Sequence, residues 1–459
     1  MCYKVLHFPI QNHIIAGISR RNQRFKSSSL TTTLVAVLFE ISKFRFLSLF
    51  SDYVLMAIAK VKSNDSFTFA VGLHFYTNNQ HQKANHLFVS IHDFANLTPR
   101  ALYLVSMCAS WQLNLNILKR IESEIDYDSI KLFVGGLILH NSSPEDSVNS
   151  FERVHGSYLK ENPEGTEKLG LPEYVRNSMN VSKPIPLKPY CGIPNGLMMQ
   201  LEPKNFEFMV LPSGVSDLIL ISYTSSYLFA LSDTVIGRIR KSHDKSIILI
   251  ITISRTEDAS LVIAFCQKLS LKYGKVFWKV VTSRFDLPIL SSVIRLVFAQ
   301  ELFEVHYVRS ILMLDGDTSF IKVDPVQVWE NGRSDFDIAL MQNQSLCPWE
   351  RMSLGFTILN DTKFTRDFLI MFDSYVTAHI LEDRAFWTLD QTAAFLVLQA
   401  MMQNSQNQAT SGIKIFDLSL SVDLGDFIFT DKSLARLKLR AKGSNRDFVS
   451  GMSEALYLP

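Results

Sequence analysis

The 459-residue chain lacks most of the features that assign a protein quickly. It has only five cysteines, Cys2, Cys108, Cys191, Cys266 and Cys347, with no C-x-x-C and no Cys/His group at zinc spacing. That excludes a zinc finger or ribbon and gives no reason to expect a disulfide framework. Cys108 and Cys266 fall in apolar, helix-like stretches and are expected to be plain core residues. An excess of one charge is also missing: 46 Lys and Arg stand against 44 Asp and Glu, a net charge of +2. Such a balance argues against wholesale nucleic-acid binding. No stretch reaches the ~20 consecutive apolar residues that a membrane-spanning helix needs. The basic residues Arg20, Arg21, Arg24 and Lys26 precede an apolar stretch, Leu30 to Phe39, in the outline of a signal sequence. The apolar part is short, however, and Glu40, Lys43, Arg45 and Asp52 follow at once. A buried or peripheral helix of a cytoplasmic protein is expected, with association at a membrane surface as the alternative. Finally, no histidine follows His379.

Apolar residues make up 47% of the chain and Phe alone contributes 33, enough for a large core and for two or three domains. Residues 1–29 are expected to be partly disordered. Residues 30–140 carry apolar side chains at helical spacing, with a polar break at Thr77-Asn78-Asn79-Gln80 and a helix opened by Pro99. In this region Gly72, Phe75, Ala84 and Phe88 resemble the spacing of the tetratricopeptide repeat, where small residues let paired helices approach closely. The first-position Trp of that pattern is absent, and an ordinary helical hairpin fits the same residues. Such a domain would recruit an acceptor or a protein partner. Residues 141–215 hold Pro144, Pro163, Pro172, Pro184, Pro186, Pro189, Pro194 and Pro203. Proline at this density argues for a long extended connection containing the domain boundary.

From 216 to about 445 the pattern alternates. Strands are expected at 218–222, 246–254, 276–281 and 311–315, and helices at 228–241, 259–273 and 287 to about 303, with Gly274 closing the second helix. Fully apolar strands alternating with helices imply a parallel sheet covered on both faces. Ligands bind such sheets at the carboxyl ends of the strands. Residues 446–459 form a C-terminal tail.

The pattern D-x-D occurs at Asp126–Asp128, Asp315–Asp317 and Asp335–Asp337. The first follows a charged, helix-like stretch and reads as a solvated turn. The third precedes a strand. Only Asp315-Gly316-Asp317 ends a buried strand, Ile311 to Leu314. In extended geometry two such acids point the same way, roughly 6–7 Å apart. Gly316 leaves the backbone between them uncrowded. Two carboxylates at a strand end suit a divalent cation that itself holds a phosphorylated ligand. A surface turn after a strand is the plainer reading.

Taken in order, these residues resemble the GT-A fold of nucleotide-sugar-dependent glycosyltransferases, a Rossmann-like mixed sheet with helices on both faces, here preceded by a smaller α-helical domain. The resemblance covers about half the chain. It implies that Tyr223 and Tyr227, after the first strand, pack the nucleotide base, and that Arg295, on the helix before Asp315, binds the donor. It implies that Asp315 and Asp317 hold Mn²⁺ or Mg²⁺. Gly316, Asp337, Ser353 and Gly355 would lie beside the donor sugar. Asp390 and Gln391, after Trp387-Thr388-Leu389, resemble the family's Asp-Gln element. Asp390 would serve as base towards the acceptor hydroxyl in an inverting reaction, or support the oxocarbenium-like centre in a retaining one. An N-cap is its structural alternative. Trp349, Arg351 and Trp387 could line an acceptor site, because aromatic faces stack on sugars. One departure concerns the third metal ligand, often a histidine near the C-terminus in this family. Asp426, Asp431 or a phosphate oxygen would have to substitute. Lys442-Gly443-Ser444 could touch a diphosphate.

The implied function is metal-dependent glycosyl transfer from a nucleoside-diphosphate sugar to an acceptor that the sequence does not identify. A non-catalytic nucleotide-sugar or glycan-binding protein is the alternative. Nucleotidyl transfer ranks last, because Tyr223–Tyr227 contains no glycine and no basic residue.

Overall fold

The architecture is that of a computed structural model, which describes residues 65–77, 80–163, 171–184, 214–318, 324–332 and 336–406, with the short pieces 56, 196–197, 207–208 and 415–417. The expected helix over 30–60 and the segments carrying Asp335, Asp426, Asp431 and Lys442–Ser444 lie outside the described residues. The chain divides into two compact units, one running to Val175 and taking in Ser345–Cys347, the other comprising the rest from Arg176.

The first unit is helical: α1 (Asp65–Thr77), α2 (His81–Val89), α3 (Pro99–Trp111), α4 (Leu115–Glu124), α5 (Asp128–Leu139) and α6 (Pro144–Glu161). Phe75, Ala84 and Phe88 are fully buried. A Cβ placed on Gly72 would come within 2.4 Å of the Phe88 ring, so α1 and α2 pack as a hairpin only because position 72 has no side chain. The same device recurs between α5 and α6, where a Cβ on Gly136 would lie 2.8 Å from Phe151. Arg120 ties the loop after α2 to α4, donating to the carbonyl oxygens of Ile91 and His92 and to Glu124. Asp126 and Asp128 are exposed, but Asp128 opens α5 and is not part of a turn. Cys108 and Cys266 are buried free thiols, pushed up to about 12 by burial and so inert at neutral pH.

The extended connection expected over 141–215 starts later than the prolines suggest. Pro144 occupies the first turn of the 18-residue helix α6, where its missing N–H costs nothing. A further helix, α7 (Glu173–Met179), follows Pro172.

The second unit is a mixed α/β sheet. Its strands are β1 (Glu207–Phe208), β2 (Asp217–Thr224), β3 (Ser246–Ser254), β4 (Val276–Ser283), β5 (Ser310–Asp315), β6 (Ile338–Gln342), β7 (Met352–Asn360) and β8 (Ile415–Asp417), in the spatial order β1-β4-β3-β2-β5-β7-β6-β8. The four strands read from the sequence, β2 to β5, run parallel to one another. β7 then runs antiparallel to both β5 and β6, which makes the sheet mixed. Between strands lie α8 (Ser225–Ser242), α9 (Ala259–Tyr273), α10 (Leu287–Val305), α11 (Pro325–Gly332), α12 (Lys363–Leu381) and α13 (Leu389–Gln406).

Alternation assigns the faces. Ile219, Ile221 and Tyr223 of β2, with Leu312 and Leu314 of β5, form one core with Leu231, Val235 and Ile236 of α8 and Val262 and Cys266 of α9. The intervening residues, Leu218, Leu220, Ile311 and Met313, are equally buried on the opposite face. That face carries α10, whose Val293, Ile294, Leu296 and Val297 are buried. Both faces are therefore covered, and the exposed chemistry is confined to the strand ends. No helix among the described residues is long and apolar enough to cross a membrane.

Candidate active site at the end of strand β5

β5 stops at Asp315 and the chain turns at once. The Thr318 N–H and Oγ1 both donate to the Asp315 carbonyl, at 3.0 and 2.7 Å, closing a turn over Gly316 and Asp317. The extended geometry expected for the two acids is therefore replaced by a turn, and they face different neighbours. Asp315 continues the α10 face of the strand. Its Oδ1 accepts from Arg295 Nη1 at 2.6 Å. Asp317 is buried, and its negative charge bears on the hydroxyls of Tyr223 and Tyr227.

Gly316 lies against the Tyr223 ring. A Cβ there would sit 2.3 Å from Tyr223 Cε1. Gly316→Ala is therefore expected to destabilise the second unit by about 1–3 kcal/mol through overpacking. Thermal melting tests this directly, and an unchanged transition would mean that the turn has room to spare.

Tyr223 itself is only 1% exposed and belongs to the core that β2 shares with α8. This corrects its expected role as a base-packing residue: alternation places positions 219, 221 and 223 on one buried face. Its hydroxyl has no hydrogen-bond partner among the described residues. Burial and the Asp317 charge both hold it protonated. Tyr227 falls in the first turn of α8, which begins at Ser225 rather than at the expected Leu228, and is half-buried.

Arg295 joins the acids. It is 2% exposed at the middle of α10, and its Nη2 lies 3.8 Å from Asp390 Oδ2. That separation is too long for a hydrogen bond and leaves a charge–charge contact. The Arg295 Nε has no partner among the described residues. A buried guanidinium with donors to spare is what a phosphate or sugar oxygen would meet.

Asp390 is 6% exposed and sits in the first turn of α13. It is not the N-cap. The Thr392 N–H donates to the Thr388 carbonyl at 3.0 Å, which puts Thr388 at that position, and Thr388 has a φ of +82°. Burial pushes the Asp390 carboxyl up to about 6. Arg295 opposes that shift, Asp315 adds to it, and the N–H groups of Gln391 and of Asp390 itself favour the ionised form. Gln391, one residue on, is half-buried.

β7 brings two more of the expected residues to this end of the sheet. Leu314 pairs with Phe356, so Gly355 is the next residue of β7, level with Asp315. Ser353 follows, buried and paired with Met341 across a register shift in β6. Asp337 is not brought here. Its carbonyl accepts from Asn360 N–H, and Asn360 pairs with Ser310 at the start of β5. Five residues of strand separate that level from Asp315, roughly 16 Å. β6 runs parallel to β5, so the residue that precedes it lies at the far end of the sheet from the site.

Of the expected acceptor residues, Trp349 is 2% exposed and serves as a core side chain. Arg351 is half-buried with its guanidinium over the Phe395 ring. Trp387 is 49% exposed, three residues before Asp390.

The donor set can be tested against a divalent cation by charge and ligand type. Among the described residues, Asp315 and Asp390 flank the Arg295 guanidinium, and Asp317 follows in the turn. Asp315 keeps its second oxygen, on a side chain 30% exposed. Hard carboxylate oxygens suit Mg²⁺ and Mn²⁺, and Mg²⁺ is commonly held by one or two carboxylates plus phosphate and water. Among the described residues no three His, Cys, Asp or Glu side chains gather where they could hold a metal ion. A cation placed here would have to complete its coordination from a ligand or water.

No family pattern matches the chain, and no curated protein matches it in sequence. Solved structures similar to it include the galactosyltransferase LgtC in complex with donor and acceptor sugar analogues. That likeness has 13% identity and a TM-score of 0.29, covering 39% of this chain and 70% of that one. An active-site variant of LgtC is similar at 14% identity and a TM-score of 0.30, covering 43% and 72%.

Proposed function

We propose that this chain is a glycosyltransferase that moves a sugar from a nucleoside-diphosphate donor to an acceptor hydroxyl, with Mn²⁺ or Mg²⁺ held by Asp315 and Asp317. The observation that carries the reading is the meeting of Asp315, Arg295 and Asp390, from three separate elements, at the carboxyl end of β5. When bound, the cation would offset the negative charge that develops on the departing diphosphate. Arg295 supplies fixed positive charge from a buried position, with Nε free for a donor oxygen. Asp390, with a proton affinity set near neutrality by burial, can take the proton of an attacking hydroxyl. Gly355 and Ser353 form the floor beside the donor, and Trp387 offers an exposed ring to an acceptor sugar.

The experiment is a thermal shift with UDP or GDP, with and without Mn²⁺. A ligand at a hundred times its Kd stabilises by about 2.7 kcal/mol. The full chain is expected to melt several degrees higher with nucleotide and Mn²⁺ together, and not with either alone. Asp315→Asn with Asp317→Asn should remove that shift, and the unliganded transition should itself fall, because the buried Arg295 loses its ion-pair partner. A nucleotide shift that ignores Mn²⁺ and survives the double substitution would overturn the assignment. A binding-only protein on the same scaffold is favoured by one observation, that Asp315 is already paired with Arg295. Turnover separates the two.

A further inference from the structure

We propose that Asn180 is a positioning residue for the reaction: a buried amide that clamps Phe386, Trp387 and Thr388 and so fixes where α13 begins and where Asp390 stands. The inference rests on the glycosyl-transfer reading of Asp390, but its geometry does not. Asn180 lies ahead of the whole sheet, in the stretch that reads from the sequence as connection, and is completely buried. Its Oδ1 accepts from the Phe386 N–H at 2.9 Å. Its Nδ2 faces three acceptors, the carbonyl oxygens of Phe386 and Trp387 and the Thr388 hydroxyl, at 3.4, 3.3 and 3.5 Å. Both ends of one amide are thus engaged by three consecutive residues more than 200 positions away.

Those residues need holding. Thr388 is β-branched, yet its φ is +82°, a conformation that L residues with a branched Cβ strongly avoid. Strain of this kind persists only where surrounding contacts over-determine it, and it clusters at functional sites. Thr388 begins α13 by accepting from Thr392 N–H, and Asp390 is two residues further on. The direction in which Asp390 leaves the helix therefore depends on the Thr388 conformation.

Asn180 is anchored in turn. Its carbonyl accepts from the Tyr375 hydroxyl at 2.8 Å, and that hydroxyl accepts from the Ser182 N–H at 2.8 Å. Tyr375 stacks on His379, 4.3 Å between ring centroids, with His379 Nδ1 against the Tyr375 carbonyl at 2.9 Å. The segment around Asn180 is thereby fastened to α12, and its side chain fastens the start of α13. Asn is suited to this place because one planar group must accept from an N–H and donate to carbonyls at once.

The test combines local hydrogen exchange with steady-state kinetics on the full chain. In Asn180→Ala, amide exchange is expected to rise over Phe386–Gln391 while β2, β3 and β5 keep native protection. Release of nucleoside diphosphate, from whichever UDP- or GDP-hexose the native chain cleaves fastest, should fall on the order of 10- to 100-fold in kcat. KM for that donor should move less than about threefold, because the donor-contacting residues are untouched. Adding Thr388→Gly, which removes the penalty for positive φ, should recover part of the lost kcat. Asn180→Asp at pH 8 preserves the volume and the acceptor but removes the donors, so it provides the same test if Asn180→Ala fails to fold. Unchanged exchange at Phe386–Gln391, or exchange rising uniformly across the sheet, overturns the proposal. Absence of diphosphate release by the native chain would instead overturn the glycosyl-transfer reading, and the exchange result would still decide whether Asn180 clamps the loop.

Discussion

Asp390→Asn is expected to melt at a higher temperature than the native chain at pH 8 while losing nearly all turnover. In the folded chain burial raises the Asp390 carboxyl to about 6, whereas an unfolded aspartate titrates near 3.9. Below pH ~4 both states are protonated and the group has no effect on stability. As pH rises from about 4 to about 6, the unfolded chain releases its proton first, so the native state binds more protons and stability falls. Above about 6 the full penalty is present, on the order of 2–3 kcal/mol. Asparagine cannot ionise, can still accept the N–H bonds at the start of α13, and removes that penalty. The gain should be several degrees at pH 8 and vanish at pH 4. Catalysis runs the other way. A base must be ionised to accept a proton, so native activity should rise through about pH 6. Loss of a general base costs about 10²- to 10⁴-fold. A variant that melts lower and turns over normally would make Asp390 a helix-start residue and nothing more.

The second large effect is expected at Arg295. Arg295→Met keeps much of the volume but removes the guanidinium that lies between Asp315 and Asp390. Removing one partner of a buried pair leaves the other charge uncompensated, at a cost of about 3–5 kcal/mol. Asp390 is the more exposed to this effect, because Arg295 is the charge that opposes its upward shift. Adding Asp390→Asn should therefore return part of the lost stability, with a coupling on the order of 1 kcal/mol or more. Arg295→Lys should be milder in melting but poor in turnover, since an ammonium does not reproduce the planar fork. Strict additivity of the Met and Asn substitutions would show that Arg295 and Asp390 do not share a field. Melting curves in urea across the four proteins measure this.

Much of this site was legible in the sequence, and the reasons are local. β3 reads Ser-Ile-Ile-Leu-Ile-Ile-Thr-Ile-Ser, and only a strand buried on both faces tolerates that run. Its neighbours β2, β4 and β5 carry the same signature, so their order and the abrupt end at Asp315 could be read directly. Arg295 was legible because the helix that carries it runs straight into β5. The misses were not local. Asp337 follows the D-x-D spacing, but whether it reaches the site depends on the direction of β6, which is set by pairing with β7. Tyr223 resembles a ligand residue by its place near the end of β2, but its alternation with Ile219 and Ile221 puts it in the core. Pro144 suggested a break where it opens a helix. Asn180 gave no signal at all, since every group it holds lies at the other end of the chain.

The central claim is that the end of β5 grips a cation together with a sugar nucleotide for group transfer. The most direct measurement is release of nucleoside diphosphate from a panel of UDP- and GDP-sugars, by the native chain and by Asp315→Asn with Asp317→Asn, with Mn²⁺ and with chelator. The account predicts release by the native chain that requires Mn²⁺ and is lost in the double variant while that variant still melts in a single cooperative transition. Equal release from both proteins, or release that persists in chelator, would contradict it.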